Sequence, residues 1–78
     1  MTFEGHRVLV TGAAGGVGRA TTDAFRRQGA SVCVADLDCS GLDAEAAVPG
    51  DLTDMAYADG LAGVAADALG GLDIVVNN

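Results

Sequence analysis

The chain has 78 residues, of which 50% are hydrophobic and 19% charged, and eleven acidic residues against four basic ones give a formal net charge of −7. This apolar content excludes a disordered acidic tail, and the few basic residues exclude a patch that could neutralise a nucleic-acid backbone. No apolar run approaches the roughly 20 residues of a transmembrane helix, and Glu4 stands where a secretory signal carries basic residues. We therefore expect a cytoplasmic protein with no nucleic-acid or membrane partner.

The first half of the chain predicts a strand, a helix and a second strand. Apolar runs over Arg7–Thr11 and Ser31–Ala35 indicate the strands, and the second is apolar on both faces, as buried parallel strands are. Gly29 would end the intervening helix, because glycine readily adopts the left-handed backbone of a C-terminal turn. The buried stripe of this helix is predicted to be Val17, Ala20, Thr21, Ala24, Phe25 and Gln28.

The second half predicts two more strands around a longer helix. Residues 37–45 are too few for a regular crossover helix before the apolar patch at 46–48, so any helix there would be a single turn or irregular. Thr53 and Asp54 are candidate N-caps of the longer helix, Gly70 and Gly71 would end it, and residues 72–77 indicate the fourth strand. The inner face of the longer helix is predicted to be Ala58, Leu61, Ala62, Ala65, Ala68 and Leu69.

This alternation predicts an α/β fold, a Rossmann-like doubly wound parallel sheet. Its elements would run β-α-β-α-β-α-β, with strand order 3-2-1-4 and right-handed crossovers. Residues 1–78 would form the N-terminal dinucleotide-binding part of a single domain whose remainder lies outside the sequence. Because a domain of about 60 residues buries only about 60% of its unfolded surface, such a segment would be marginally stable alone.

A glycine-rich segment from Thr11 to Gly18 lies between the first strand and the first helix. Backbone N–H groups and the positive end of the helix dipole can hold a diphosphate at this place. Gly12 would allow a tight turn, Gly16 the close approach of phosphate oxygens, and Gly18 the close packing of helix and strand. A Walker phosphate loop is excluded, because the sequence has no Lys. A glycine-rich turn without a ligand is the alternative.

Two acidic residues follow successive strands. Asp36 ends the second strand, where a carboxylate accepts hydrogen bonds from the adenosine ribose, and Asp51 follows the third, where it could accept from the adenine amino group. Parallel strands end together at the crevice where open α/β sheets bind ligands. The 2′-phosphate of NADP would lie beside the Asp36 carboxylate, and because like charges repel, the sequence predicts NAD.

The T-G-x-x-x-G-x-G segment, these acids and the Asn77-Asn78 pair resemble the N-terminal half of the short-chain dehydrogenase/reductase family, in its compact single-domain branch. The resemblance implies an NAD-dependent oxidoreductase that interconverts a small-molecule alcohol and a ketone. It also implies a homo-oligomer, a tetramer or a dimer, in the complete protein. The cofactor-binding residues that it implies are Gly12, Ala14, Gly15, Gly16, Val17, Gly18, Asp36, Leu37, Asp51, Leu52, Asn77 and Asn78.

The sequence departs from the family pattern in its catalytic residues. The family's Ser and Tyr-x-x-x-Lys are absent, since Leu61 follows Tyr57 at that spacing. We therefore predict that Tyr57 is a helix-surface residue, that this segment alone is inactive, and that the catalytic residues lie beyond it. The stretch between Asp36 and Asp51 is also shorter than is usual in the family.

Three alternatives stay open. Gly15 also fits T-G-x-x-G-x-x-G, which resembles the extended branch of the same family and its sugar-nucleotide enzymes, although Asn77 and Asn78 favour the compact branch. Methyl transfer from S-adenosylmethionine uses a similar glycine turn and similar acids, but the glycine spacing disfavours it. The missing catalytic residues leave a non-catalytic dinucleotide-binding module as the third alternative.

Overall fold

The computed structural model describes residues 2–78, which form a four-stranded parallel sheet with one helix on each face. The elements in chain order are β1 (Arg7–Thr11), α1 (Gly16–Arg27), β2 (Ser31–Ala35), β3 (Ala46–Ala47), α2 (Met55–Leu69) and β4 (Ile74–Val76). The strand order is β3-β2-β1-β4 and every pair is parallel, which confirms the predicted doubly wound sheet and its 3-2-1-4 order.

The two central strands carry the core on both faces. Val8 and Val10 of β1 pack with the neighbouring residues of β2 on the α1 side, while Leu9 packs with Cys33 on the α2 side. Val8, Leu9 and Val10 of β1 are 0–2% exposed, and Val32 to Ala35 of β2 are fully buried. Burial on both faces explains why the two apolar runs do not alternate with polar residues, and the predicted bounds of both strands are confirmed.

The buried face of α1 differs from the predicted stripe. The helix buries Gly18 and Thr22, one turn apart, with Thr21 and Phe25 half-buried beside them. The Thr22 hydroxyl donates to the Gly18 carbonyl at 2.9 Å, so this buried polar group has a partner. The close contact of Gly18 with the preceding turn sets which side of the helix meets the sheet. Four of the six predicted stripe residues are exposed: Val17, Ala20, Ala24 and Gln28.

The predicted helix between β2 and β3 is wrong, because residues 37–45 contain turns but no helix. Glu45 fastens this connection to the start of β2. Its side chain accepts a hydrogen bond from the Val32 amide at 2.8 Å and pairs with the Arg26 guanidinium at 3.0 Å, while its own amide donates to the Val32 carbonyl. These contacts bring the chain directly into the two residues of β3, one residue fewer than predicted.

Helix α2 begins and ends as predicted, but its inner face is narrower. Asp54 is the N-cap, accepting hydrogen bonds from the Ala56 and Tyr57 amides, and Gly70 ends the helix with a left-handed φ of 80°. The contact of α2 with the sheet is made by buried Leu61 and Ala65 together with half-buried Tyr57 and Leu69. Three predicted inner residues are exposed: Ala58, Ala62 and Ala68.

The edge strand β4 covers residues 74–76 and is shorter than predicted. Before it, Asp73 forms an ion pair with Arg7 at 3.2 Å and accepts a hydrogen bond from the Arg7 amide, and the Arg7 guanidinium also donates to the Gly70 carbonyl at the end of α2. These bonds align β4 with the start of β1. Within residues 2–78, no helix combines the length and the apolar character that a membrane crossing requires.

Substituting alanine for the interior glycines of α2 should stabilise the fold. A Cβ added at Gly60 or Gly63 meets nothing within 4 Å, so each change should raise the free energy of unfolding by about 0.5–1 kcal/mol through helix propensity. Gly70→Ala is the matched control and should lower it, because the φ of 80° disfavours a side chain. Urea unfolding measures all three, and equal effects at the three positions would contradict the assigned helix bounds.

The Arg7–Asp73 pair should make stability depend on pH. Hydrogen bonds from the Arg7 side chain and amide lower the pKa of Asp73 below the unfolded value of 3.8. The contribution is therefore present above that pH and lost as the pH falls through the folded pKa. Thermal unfolding should show wild type more stable than Asp73→Asn near neutral pH, and the difference in stability should close as the pH falls below 3.8. Asp23→Asn, at an exposed acid on α1, is the control, and a gap that persists in acid would count against the pair.

Candidate functional site

The glycine-rich segment turns the chain sharply at the carboxyl end of β1. Gly12 has a φ of 62°, in the left-handed region, and a Cβ there would lie 3.1 Å from the Cβ of Asn78. The Ala13 amide donates to the Ala35 carbonyl at the end of β2, and the Gly15 amide donates to the Gly12 carbonyl, each at 3.3 Å. The first bond holds the turn against the end of β2 and the second closes the turn on itself, which supports the tight turn predicted at Gly12.

Gly18 brings the start of α1 into direct contact with this turn. A Cβ at Gly18 would overlap the Gly12 carbonyl oxygen and would lie 2.7 Å from the Ala13 Cα. Both neighbours are backbone atoms, which cannot swing aside as a flexible side chain can. Only glycine therefore allows the helix to approach this closely, as the sequence predicted.

The first turn of α1 lies at the carboxyl edge of the sheet and is open to its surroundings. Its N-cap, Gly15, has an extended backbone, no side chain of the described chain caps the helix, and its first turn carries no acidic residue. A Cβ added at Gly16 meets nothing within 4 Å, and Val17 is 72% exposed. Backbone N–H groups and the positive end of the helix dipole face this open space, which suits an anionic group.

The Asp36 carboxylate lies directly beside the glycine turn. One oxygen accepts a hydrogen bond from the Ala14 amide at 3.0 Å, and the other accepts from the Leu37 amide at 2.7 Å. The sequence placed Asp36 at the strand end but missed the bond to Ala14, which joins the two halves of the predicted site. A carboxylate offers about four lone-pair positions, so both oxygens keep the capacity to accept from a ligand.

Asp51 is brought to the same edge by the chain after β3. The Gly50 amide donates to the Asp36 carbonyl at 2.9 Å, which places the two acidic residues on neighbouring strand ends. One Asp51 oxygen accepts from the Thr53 hydroxyl at 2.7 Å and from its amide at 2.9 Å, and these bonds lower the pKa of Asp51. Leu37 and Leu52 are 69% and 40% exposed, and each follows one of the acidic residues.

Asn77 and Asn78 complete the edge on the β4 side. The Asn78 side-chain amide donates to the Thr11 carbonyl at 3.0 Å, and its backbone amide lies 3.3 Å from the Thr11 hydroxyl. That hydroxyl also lies 3.4 Å from the Asn77 side-chain oxygen. Thr11 is 5% exposed and links the glycine turn to β4. The sequence assigned it no role, although it is the first residue of the T-G motif.

Tyr57 is not the surface residue that the sequence predicted. It is half-buried on the first turn of α2, and its hydroxyl donates to the Val48 carbonyl. Its ring fills the space that a Cβ at Gly50 would occupy. Burial raises the pKa of Tyr57, which keeps the hydroxyl protonated and able to donate. The signal that could have revealed this contact is Gly50 itself, a residue without a side chain just before Asp51.

Two surface pockets of the described chain lie away from this edge. One of about 150 Å³ is lined by Arg19, Thr22, Asp23 and residues 41–43, and an apolar one of about 250 Å³ lies between Phe3 and the outer face of α1. None of the predicted cofactor-binding residues lines either cavity. The candidate site is the exposed edge along the strand ends, the location that ligands favour in open α/β sheets.

Alanine substitutions at Gly18 and Gly16 should distinguish a glycine that the fold requires from one that only leaves space for a ligand. Gly18→Ala should lower the free energy of unfolding by about 1–3 kcal/mol, because its Cβ overlaps backbone. Gly16→Ala places the same methyl group in open space and should not destabilise the chain. Chemical unfolding of both variants gives the comparison. If Gly16→Ala lowered the free energy of unfolding as much as Gly18→Ala, the close contact of α1 with the turn at Gly18 would be contradicted.

The chain matches known proteins along its whole described length. The family model described as short chain dehydrogenase matches residues 6–78. A sorbitol dehydrogenase of Cereibacter sphaeroides is 38% identical over 86 residues, which cover 100% of this chain and 34% of that protein. The structure of a glucose dehydrogenase of Caenorhabditis elegans in the apo form superimposes with a TM-score of 0.86 at 28% identity, covering 100% of this chain and 39% of the other.

A third relative carries a bound dinucleotide. The structure of 3-ketoacyl-(acyl-carrier-protein) reductase from Brucella melitensis complexed with NADH superimposes with a TM-score of 0.82 at 32% identity, covering 94% of this chain and 33% of that one. The chain thus spans about a third of the length of these relatives. They are two dehydrogenases and a reductase, which do not favour the sugar-nucleotide alternative or the non-catalytic module. The family match and the parallel sheet with its glycine turn agree, and the chain belongs to the short-chain dehydrogenase family of oxidoreductases.

Proposed function

We propose that this chain is the NAD-binding portion of an enzyme that interconverts an alcohol and a ketone by hydride transfer. The observation that carries the proposal is the meeting of the uncapped start of α1 with the Asp36 carboxylate, joined through the Ala14 amide at 3.0 Å. The nicotinamide cofactor supplies the hydride chemistry when bound, while the protein binds and orients it. Two relatives of this chain are a sorbitol dehydrogenase and a glucose dehydrogenase, which is consistent with an alcohol substrate.

The glycine turn would hold the diphosphate. The N–H groups at the start of α1 point into the open crevice, and the missing side chain at Gly16 leaves room for phosphate oxygens to reach them. Gly12 and Gly18 would act indirectly, because they set the turn and the helix position from which those N–H groups point. Ala14, Gly15 and Val17 contribute backbone to the same turn.

The adenosine half would lie across the ends of β2 and β3. Asp36 would accept hydrogen bonds from the ribose hydroxyls with the capacity that its bonds to Ala14 and Leu37 leave free. Asp51 would accept from the adenine amino group, and its bonds with Thr53 favour the ionised form that can do so. The exposed side chains of Leu37 and Leu52 would cover the apolar faces of the base.

The remaining groups of the reaction would come from residues outside this chain. The sequence has no Lys, and the Tyr57 hydroxyl is bound to the Val48 carbonyl rather than directed at the crevice. We infer that the proton donor and acceptor, and the walls of the substrate pocket, follow Asn78. We further infer that the complete protein is cytoplasmic and that it is a dimer or tetramer, and sedimentation would test its oligomeric state. Asn77 and Asn78 would support the ribose side of the site from the end of β4.

The charge of Asp36 should select NAD over NADP. A 2′-phosphate beside this carboxylate costs several kcal/mol, so NADP should bind on the order of 100-fold more weakly than NAD. Asp36→Asn removes the charge and keeps one oxygen acceptor. In this variant the ratio of the NADP dissociation constant to that of NAD should fall to about tenfold or less. Isothermal titration of both cofactors gives the ratio.

Asp38→Asn is the matched control for this experiment. Asp38 is an exposed acidic residue two positions away whose carboxylate accepts from the Ser40 amide at 2.8 Å, and its removal changes the net charge equally. The ratio should stay close to the wild-type value in this variant. A wild type that prefers NADP, or a ratio that falls equally in both variants, would overturn the role given to Asp36.

A further inference from the structure

We propose that Tyr57 is a positioning residue for the adenine side of the site, acting through the segment that carries Asp51. The proposal rests on the proposed function, since it concerns how the same crevice recognises the base. Tyr57 packs against this segment through Val48 and Gly50, and it would act without contacting the cofactor itself. What it would set is the position of the Asp51 carboxylate, and with it the discrimination between adenine and other bases.

The segment from Val48 to Asp51 has little support from regular structure. The strand before it, β3, has two residues, and residues 37–45, which lead into β3, contain no helix that could pack against it. The amides of Val48 and Gly50 donate to the Val34 and Asp36 carbonyls, each at 2.9 Å, so β2 holds the segment along one side. Pro49, between them, has no N–H to donate.

Tyr57 holds the same segment from the other side. Its hydroxyl donates to the Val48 carbonyl, so both backbone groups of Val48 are bonded, one to β2 and the other to α2. Its ring packs flat against Gly50 so closely that no side chain fits there. The ring also belongs to the core cluster around Leu61, which ties it to the body of the sheet.

The constraint passes directly to Asp51. Gly50 is fixed between the Asp36 carbonyl and the Tyr57 ring, and Asp51 is the next residue. On its other side, the Asp51 carbonyl accepts from the Asp54 amide at 2.9 Å, and Asp54 caps the helix on which Tyr57 sits. Residues 48–57 therefore form a closed loop, with Asp51 and Leu52 at its tip and the Tyr57 contact across its base.

The test, made on the complete protein, compares the binding of NAD with that of nicotinamide hypoxanthine dinucleotide, which lacks the amino group that Asp51 would accept from. Wild type should bind NAD about 10-fold to 100-fold more tightly than the analogue, because the lost hydrogen bond is to a charged group. Tyr57→Phe keeps the ring and removes the hydroxyl, and it should reduce this ratio of dissociation constants by about threefold to tenfold. A general loss of folded protein would lower the apparent affinity for both ligands equally and leave the ratio unchanged.

Thr21→Val is the matched control, because it removes a hydroxyl that donates to the Val17 carbonyl within α1, and its ratio should equal that of wild type. Gly50→Ala provides a second variant that keeps the hydroxyl but displaces the ring, and it should reduce the ratio as well.

Three results would overturn the proposal, and they are distinguishable. No binding of NAD by wild type would remove the proposed function and this inference together. Wild-type binding without preference for NAD over the analogue would remove only the inference, because Asp51 would then not read the base. A normal preference that persists in folded Tyr57→Phe would show that Asp51 keeps its position without the tyrosine.

Discussion

The close approach of α1 to the turn after β1 is the constraint on which the rest of this structure depends. A helix can offer its N-terminal amides to a ligand at a sheet edge only if its first turn lies against the strand end, and here a single missing Cβ, at Gly18, allows that contact. The same contact decides which side of α1 is buried. It explains why a small residue and a threonine, rather than the more apolar Val17, meet the sheet.

The candidate site is the edge of the sheet rather than a cavity. Along this edge, hydrogen bonds join each strand end to the next. Ala14 is bonded to Asp36, Asp36 to Gly50, and Thr11 to Asn78. The order of these contacts follows the strand order, β3-β2-β1-β4. A ligand lying along this edge would meet the two acidic residues, then the glycine turn, then the asparagine pair.

The proposed ligand contacts at this edge are of two kinds, some made by backbone groups and others by side chains. The diphosphate would be held by main-chain amides, so the residues that matter there are the ones that lack side chains. The adenosine would be recognised by carboxylates, whose positions depend on how the chain enters and leaves the short strand β3. This connection lacks the helix expected of it, and the segment before Asp51 is held by β2 on one side and by the Tyr57 ring on the other.

Sequence patterns alone determined those features whose physical cause is local. Strands β1 and β2 follow from apolar runs flanked by charged or glycine residues, Asp54 and Gly70 mark helix ends through their own backbone and side-chain properties, and the glycine spacing identifies the turn. The acidic residue at position 36 was likewise predictable at the strand end. Tertiary structure decided the features that depend on residues distant in the chain. The buried face of α1, the burial of Tyr57 and the bond between Asp36 and Ala14 each depend on how separate elements pack, and helical or strand periodicity carries no information about that packing.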